Sequence, residues 1–168
     1  AVHGDNRGWF KENFQKKKML PLGFPESFFK DDKIQNNVSL SKKGVLRGLH
    51  AEPWDKYISV ADNGRVIGAW VDLRQGSSFG NVYQTIIDAS KGIYVPRGVA
   101  NGFQVLSETV SYSYLVNDYW ALDLKSHYAF VNYADPALEI TWNDIDKAEV
   151  SEADKQHPLL KDVKPITT

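Results

Sequence analysis

The segment Gly44–His50 ends on Arg47-Gly48-Leu49-His50, which sets a histidine three residues after an arginine at the expected end of a β-strand. Histidine is the side chain best suited to take and return a proton near neutral pH. Side chains two apart share a face of a strand, so Arg47 and His50 fall on opposite faces of a regular one. If both serve one site, Gly48 must mark a bulge or bend. Lys56 follows at the start of the next expected strand and offers positive charge. Tyr114 offers a phenolic proton, and Asp154 a carboxylate that could orient a histidine. Each has a plainer reading, which is the better one when the residue is taken singly: a hydrogen-bonded structural histidine, an exposed lysine, a core tyrosine, and an acid in the first turn of a short helix.

The elements that must position them read mainly as strands. Runs rich in Val, Ile, Tyr and Phe predict strands over Tyr57–Ala61, Arg65–Leu73, Val82–Asp88, Ile93–Val95, Phe103–Leu106 and Val110–Val116. Turn signals separate them at Asp62-Asn63-Gly64, Gln75–Ser78, Ser90-Lys91-Gly92 and Pro96-Arg97-Gly98. Short strands at this spacing predict an all-β sandwich or barrel. Ile67, Ala69, Val71 and Leu73 form the more apolar face of their strand. Tyr112 and Tyr114 share a face and, if inward, line the interior with polar-tipped rings. A short helix is expected within Gly8–Leu20, stopped before Pro21, and Ser151–Asp154 resembles a capping box with Asp in place of Glu, closed off by Pro158. No repeat, low-complexity tract or linker divides the chain, so residues 1–168 read as one domain.

Composition removes several functions. Twenty basic residues against twenty-one acidic ones, net charge −1, do not suit a nucleic-acid polymer as partner. There is no cysteine, so disulfides and thiolate metal sites are excluded, and a reducing cytoplasm fits. No run approaches the apolar length of a membrane span. The start at Ala1, without an initiator Met, reads as a fragment or a processed form. No Gly-rich phosphate loop and no Gly-x-Ser-x-Gly elbow is present. The four histidines, His3, His50, His127 and His157, include no closely spaced pair, so a metal would need ligands gathered from distant segments. No metal is expected.

A set of segments in order along the chain gives these residues a common setting: His3–Phe10, Gln35–Ser39, Val45–His50, Trp70–Gly76, Ile93–Gly98, Asn101-Gly102-Phe103, Leu106–Glu108, Tyr114 with Asn117–Tyr119, Asp135–Leu138 before Trp142, and Val150–Asp154. Together they resemble the dTDP-4-dehydrorhamnose 3,5-epimerases, a cupin-type jelly-roll family, and look closest to its streptococcal branch. The LRGLH and PRGxAxGF elements are specific as a pair.

The resemblance implies a cofactor-free double epimerisation next to the C4 ketone of dTDP-4-dehydro-6-deoxy-D-glucose, in a homodimer whose N-terminal segment completes the partner's site. It matches His50 to the general base, Asp154 to the carboxylate orienting it, Tyr114 to the general acid and Lys56 to the lysine beside the C4 oxygen. Arg47 matches a diphosphate contact. Arg7, Glu12, Gln35 and Asn37 match positions that hold nucleotide and diphosphate. Two positions depart from the commoner pattern: Asn101 stands where many members have histidine, and Trp120 where many have tyrosine. Asparagine is neither a cation nor a base at neutral pH, so the change bears on substrate pose. Alternatives left open are a single-carbon epimerase, a non-catalytic sugar-nucleotide-binding jelly roll, and a metal-dependent cupin oxygenase.

Overall fold

The β-branched and aromatic runs pair as expected, and the way they pair defines the architecture. A computed structural model describes residues 1–121, 124 and 127–167. Its strands are β1 (Val2–Asp5), β2 (Gly8–Lys11), β3 (Gln35–Lys42), β4 (Leu46–Ala51), β5 (Lys56–Val60), β6 (Val66–Asp72), β7 (Val82–Ile87), β8 (Gly92–Val95), β9 (Val99–Val105), β10 (Thr109–Val116) and β11 (Ala129–Phe130). Two short α-helices are α1 (Lys16–Met19) and α2 (Glu152–Lys155).

From β3 to β10 the chain folds as one long hairpin wound on itself: β3 pairs with β10, β4 with β9, β5 with β8 and β6 with β7, all antiparallel. This is the strand pairing of a jelly roll. It yields a four-stranded sheet in the order β3-β10-β5-β8 facing a five-stranded sheet in the order β11-β4-β9-β6-β7. Ile58, Val60, Val66, Trp70, Ile87, Val95, Phe103, Val105, Val110 and Tyr112 fill the space between them.

Both outer faces are covered as well. Phe24 and Phe28, with Phe14 and Phe29, pack edge-on and tilted against Tyr57 and Tyr94 on the back of the smaller sheet. The C-terminal segment lays Val131, Leu138 and Trp142 against Leu46, Leu49, Ala69 and Val71 on the back of the larger one. That cover explains why β6 is nearly uniformly buried instead of half-buried. Its more apolar face, Ala69, Val71 and Leu73, points at the C-terminal cover and not at the inter-sheet core.

The short helix expected within Gly8–Leu20 is present as α1 and occupies only the later part of that segment. Gly8–Lys11 is a strand hairpinned to β1, and only Lys16–Met19 is helical. Long-range anchors decide this: Trp9 Nε1 donates to Asn63 Oδ1, and Lys11 Nζ donates to the carbonyls of Val60 and Ala89 at 2.5 and 3.1 Å. Ser151 does cap α2, accepting the Asp154 N–H at 3.1 Å, but the Asp154 carboxylate does not return to complete a capping box. It points into the protein.

Candidate active site

One side of the space between the sheets stays open as a cavity of about 550 Å³, within the usual range for a small-molecule site. Arg47 and His50 line it from β4, Asn101 and Phe103 from β9, Lys56 from β5, Ser39 from β3, Tyr112 and Tyr114 from β10, and Asp154 from α2. The residues meant to serve one site therefore come from both sheets.

The bend at Gly48 is present. Arg47 pairs with Phe103 and His50 with Asn101, so Gly48 and Leu49 together oppose Gly102 alone, a β-bulge. Leu46, Leu49 and Ala51 face the C-terminal cover while Arg47 and His50 both face the cavity. Gly48 has φ +121°, and a Cβ there would lie 2.6 Å from Gly102 Cα. Only glycine allows the two backbones this approach.

His50 Nε2 is 2.7 Å from Asp154 Oδ1, and the Gly48 N–H donates to Asp154 Oδ2 at 3.1 Å. Burial pushes the Asp154 carboxyl up. The His50 hydrogen bond and charge, with the Gly48 N–H, outweigh this and hold it below its ordinary value. With Nε2–H donated to the carboxylate, the neutral imidazole keeps its lone pair on Nδ1, the state a base requires.

On the facing sheet Lys56 is 5% exposed, its ammonium 5.6 Å from the Tyr114 ring centroid. Burial lowers the Lys56 pKa, opposed by the neighbouring Glu52. Burial also raises the Tyr114 phenol, Glu52 adds to that, and Arg47 works against it. Tyr114 is thus held as a protonated donor.

Asn101 braces the larger sheet beside the histidine. Its Nδ2 donates to the His50 carbonyl at 2.8 Å and to Glu52 at 3.4 Å. Gln35 and Asn37 alternate with Ser39 on the cavity-side face of β3 and bond each other at 2.8 Å. Gln35 also accepts the Trp120 backbone N–H at 3.2 Å, which ties these residues to Trp120 outside the cavity; Trp120 is 53% exposed. Arg7 and Glu12 do not join His50 within one chain. Arg7 pairs with Asp5 in the exposed hairpin, beside a separate shallow concavity, and Glu12 pairs with Lys18.

Two residues escape a reading of the sequence. Glu52 lines the cavity and ion-pairs Lys56, and its spacing of two from His50 and four from Lys56 was the available signal. His157 stacks on Phe130, ring centroids 4.6 Å apart, with Nε2 3.7 Å from Asp154 Oδ1. Burial lowers its pKa, the charge of His50 adds to that, and Asp154 opposes. His50, Asp154 and His157 thus gather donor atoms within 4.8 Å of one another, a grouping the histidine spacing did not foretell. The 2.7 Å His50–Asp154 separation is a hydrogen bond; two donors on one tetrahedral zinc ion stand about 3.4 Å apart. As arranged, the trio is a hydrogen-bonded His50–Asp154 pair with His157 3.7 Å from the carboxylate, and it does not fit a metal cage.

A jelly roll with titratable side chains from both sheets around one cavity has the architecture of a cupin-type enzyme. The family model described as dTDP-4-dehydrorhamnose 3,5-epimerase matches residues 1–162. The RmlC homologue of Streptococcus pyogenes is 80% identical over 165 residues, covering 98% of this chain and 84% of that protein. RmlC from Streptococcus suis, solved with dTDP-D-xylose, superposes with a TM-score of 0.97 at 76% identity, covering 100% of this chain and 87% of that one. The dTDP-6-deoxy-D-glucose-3,5-epimerase RmlC of Legionella pneumophila, solved with dTDP-4-keto-L-rhamnose, gives 0.82 at 32% identity, covering 100% and 91%. The chain belongs to the dTDP-4-dehydrorhamnose 3,5-epimerase family.

Proposed function

We propose that this protein inverts C3 and C5 of dTDP-4-dehydro-6-deoxy-D-glucose to give dTDP-4-dehydro-L-rhamnose, a step of dTDP-L-rhamnose formation. The observation that carries the reading is the placement of a carboxylate-bound histidine on one sheet opposite a buried lysine and a protonated tyrosine on the other. The C4 ketone acidifies the hydrogens on C3 and C5, since either carbanion delocalises as an enolate. His50 Nδ1 takes the proton, and Asp154 stabilises the imidazolium. The Lys56 ammonium meets the enolate oxygen in a water-poor site, where such a charge is worth most. Tyr114 returns a proton from the opposite face. Imidazolium and phenolate then exchange with solvent to reset the site. Arg47, at the cavity mouth, meets the diphosphate, and Asn101 sets substrate pose through the β4–β9 contact.

The test is turnover of dTDP-4-dehydro-6-deoxy-D-glucose in heavy water with mass-resolved products. Deuterium enters at C3 and C5. Entry at C3 alone would establish a single-carbon epimerase, and tight dTDP binding with no exchange a binding protein. Loss of activity on chelation, with metal in the purified protein, would establish a metal enzyme. Tyr114→Phe keeps dTDP affinity and loses about 10²–10³ in kcat; unchanged exchange at both carbons in that variant would remove Tyr114 from the acid role.

The protein acts as one domain over residues 1–168, in the cytoplasm, as a homodimer. A chain without cysteine suits a reducing compartment. Among the described residues no helix is long and apolar enough to cross a membrane. For the dimer, β3 ends its sheet with Val38 and Leu40 exposed at 62% and 69%, an open apolar edge that natural sheets seldom leave uncovered. The remote placement of Arg7 and Glu12 suits donation to a second copy's diphosphate site, with Gln35, Asn37 and Trp120 meeting the nucleotide. Light scattering should give twice the 19.0 kDa chain mass, and Leu40→Asp should shift the protein toward monomer. A monomeric wild type would overturn this arrangement.

A further inference from the structure

Two acids line the cavity that the proton transfers above do not use, Glu52 and Glu149, and of these Glu52 contacts the working groups. Glu52 and Lys56 form an ion pair with side-chain exposures of only 13% and 6%. The Glu52 oxygen on Lys56 also accepts from Asn101 Nδ2 at 3.4 Å, and the same amide donates to the His50 carbonyl at 2.8 Å. A polar chain therefore runs from the backbone of the histidine, through Asn101 and Glu52, to the lysine on the opposite sheet.

We infer that Glu52 is a positioning residue of the reaction: its carboxylate clamps the Lys56 ammonium to the strand that carries His50, and so sets the aim and the charge of the cation that meets the sugar oxygen. What that cation does rests on the reaction proposed above; the clamp itself does not.

Lys56 has little freedom of its own. It opens β5, with its backbone paired to Val95 and Val116 on either side. Its side chain points into the inter-sheet space, where an unpaired ammonium would shed its proton. Burial drives Lys56 in that direction and Glu52 opposes it. The same carboxylate acts on Tyr114, adding to the effect of burial in keeping the phenol protonated, against Arg47. It also faces Tyr112, which it helps push up, and Tyr128, which burial and Glu52 together push up to about 12. His50 and Arg47 complete the titratable surroundings on β4.

The sign is the same for both working groups. Removing the carboxylate lowers the pKa of Lys56 and of Tyr114. The charged-lysine, protonated-tyrosine form is then lost at lower pH, and the alkaline limb of the rate profile moves toward neutrality. An opposite charge at contact range is worth about 1–3 pKa units, and the limb should move by a comparable amount. A glutamate that served only to fill space would lower activity by one factor at every pH.

The experiment compares wild type, Glu52→Asp and Glu52→Gln by kcat against pH, and by NMR titration of the Lys56 ammonium. The expected order, for both the alkaline limb and the lysine titration, is wild type highest, Asp intermediate and Gln lowest. If Glu52→Gln does not fold, wild type against Glu52→Asp decides. An unmoved lysine titration, or a uniform loss at all pH values, overturns the inference. Absence of turnover in wild type would instead refute the proposed reaction, with the lysine titration still reading the clamp.

Discussion

His50→Asn should lower turnover of the nucleotide sugar by about 10²–10⁴-fold while leaving dTDP affinity within a few-fold of wild type. Asparagine keeps a planar amide near the imidazole position and an N–H for Asp154. It has no nitrogen able to accept a proton at neutral pH. Asp154, its carboxylate accepting the Gly48 N–H at 3.1 Å and its backbone N–H donating to Ser151 Oγ at the start of α2, stays where it is. The substitution therefore subtracts the base and little else. The diphosphate contact assigned to Arg47 sits three residues away on the same cavity wall and is untouched. Steady-state kinetics, heavy-water exchange and calorimetric dTDP titration on the same preparation separate the two effects. Full exchange at C3 and C5 in His50→Asn would show that another group abstracts the proton.

Gly48→Ala should cost both the fold and the site. The new Cβ would sit 2.6 Å from Gly102 Cα and 2.9 Å from Asn101 O, both backbone atoms with nowhere to go, at a φ of +121° that L-residues rarely adopt. Strained backbone and overpacking each cost about 1–3 kcal/mol. A combined loss of about 3 kcal/mol corresponds to a fall in Tm of about 6–12 °C for a chain of this size. The folded fraction should also turn over more slowly, because opening the β4–β9 contact displaces His50 and withdraws the N–H that fixes Asp154. Gly102→Ala meets the same contact from the other strand, its Cβ 2.6 Å from Arg47 O, and should behave alike. Gly4→Ala, whose Cβ would make only an ordinary 3.7 Å contact, is the control that should change neither Tm nor kcat. A Gly48→Ala protein with wild-type Tm and kcat would show that the bulge is not needed.

Much of this was legible in local sequence. The β-branched and aromatic runs separated by Gly, Pro and Asn turns are strands because short-range propensity and burial agree there. The two-residue period alone required a break between Arg47 and His50 if both were to work together. The short helix expected within Gly8–Leu20 starts only at Lys16, because Gly8–Lys11 is drawn into a strand by Trp9 and Lys11, whose partners lie 49 to 78 residues away.

By itself the sequence determined the strands from Tyr57 to Val116, the place of the bend and, through residue type, which groups can move a proton. Only the tertiary structure decided which of them meet. Asp154 reaches His50 across 104 residues because the C-terminal chain runs beside β4, with Leu46 N–H bonded to Glu149 and α2 laid against the bulge. Glu52 becomes a buried partner of Lys56, and not a loop acid in water, because the two sheets close over both. Such contacts depend on burial and backbone path, quantities that sum over the whole fold and leave no mark in any short stretch of chain.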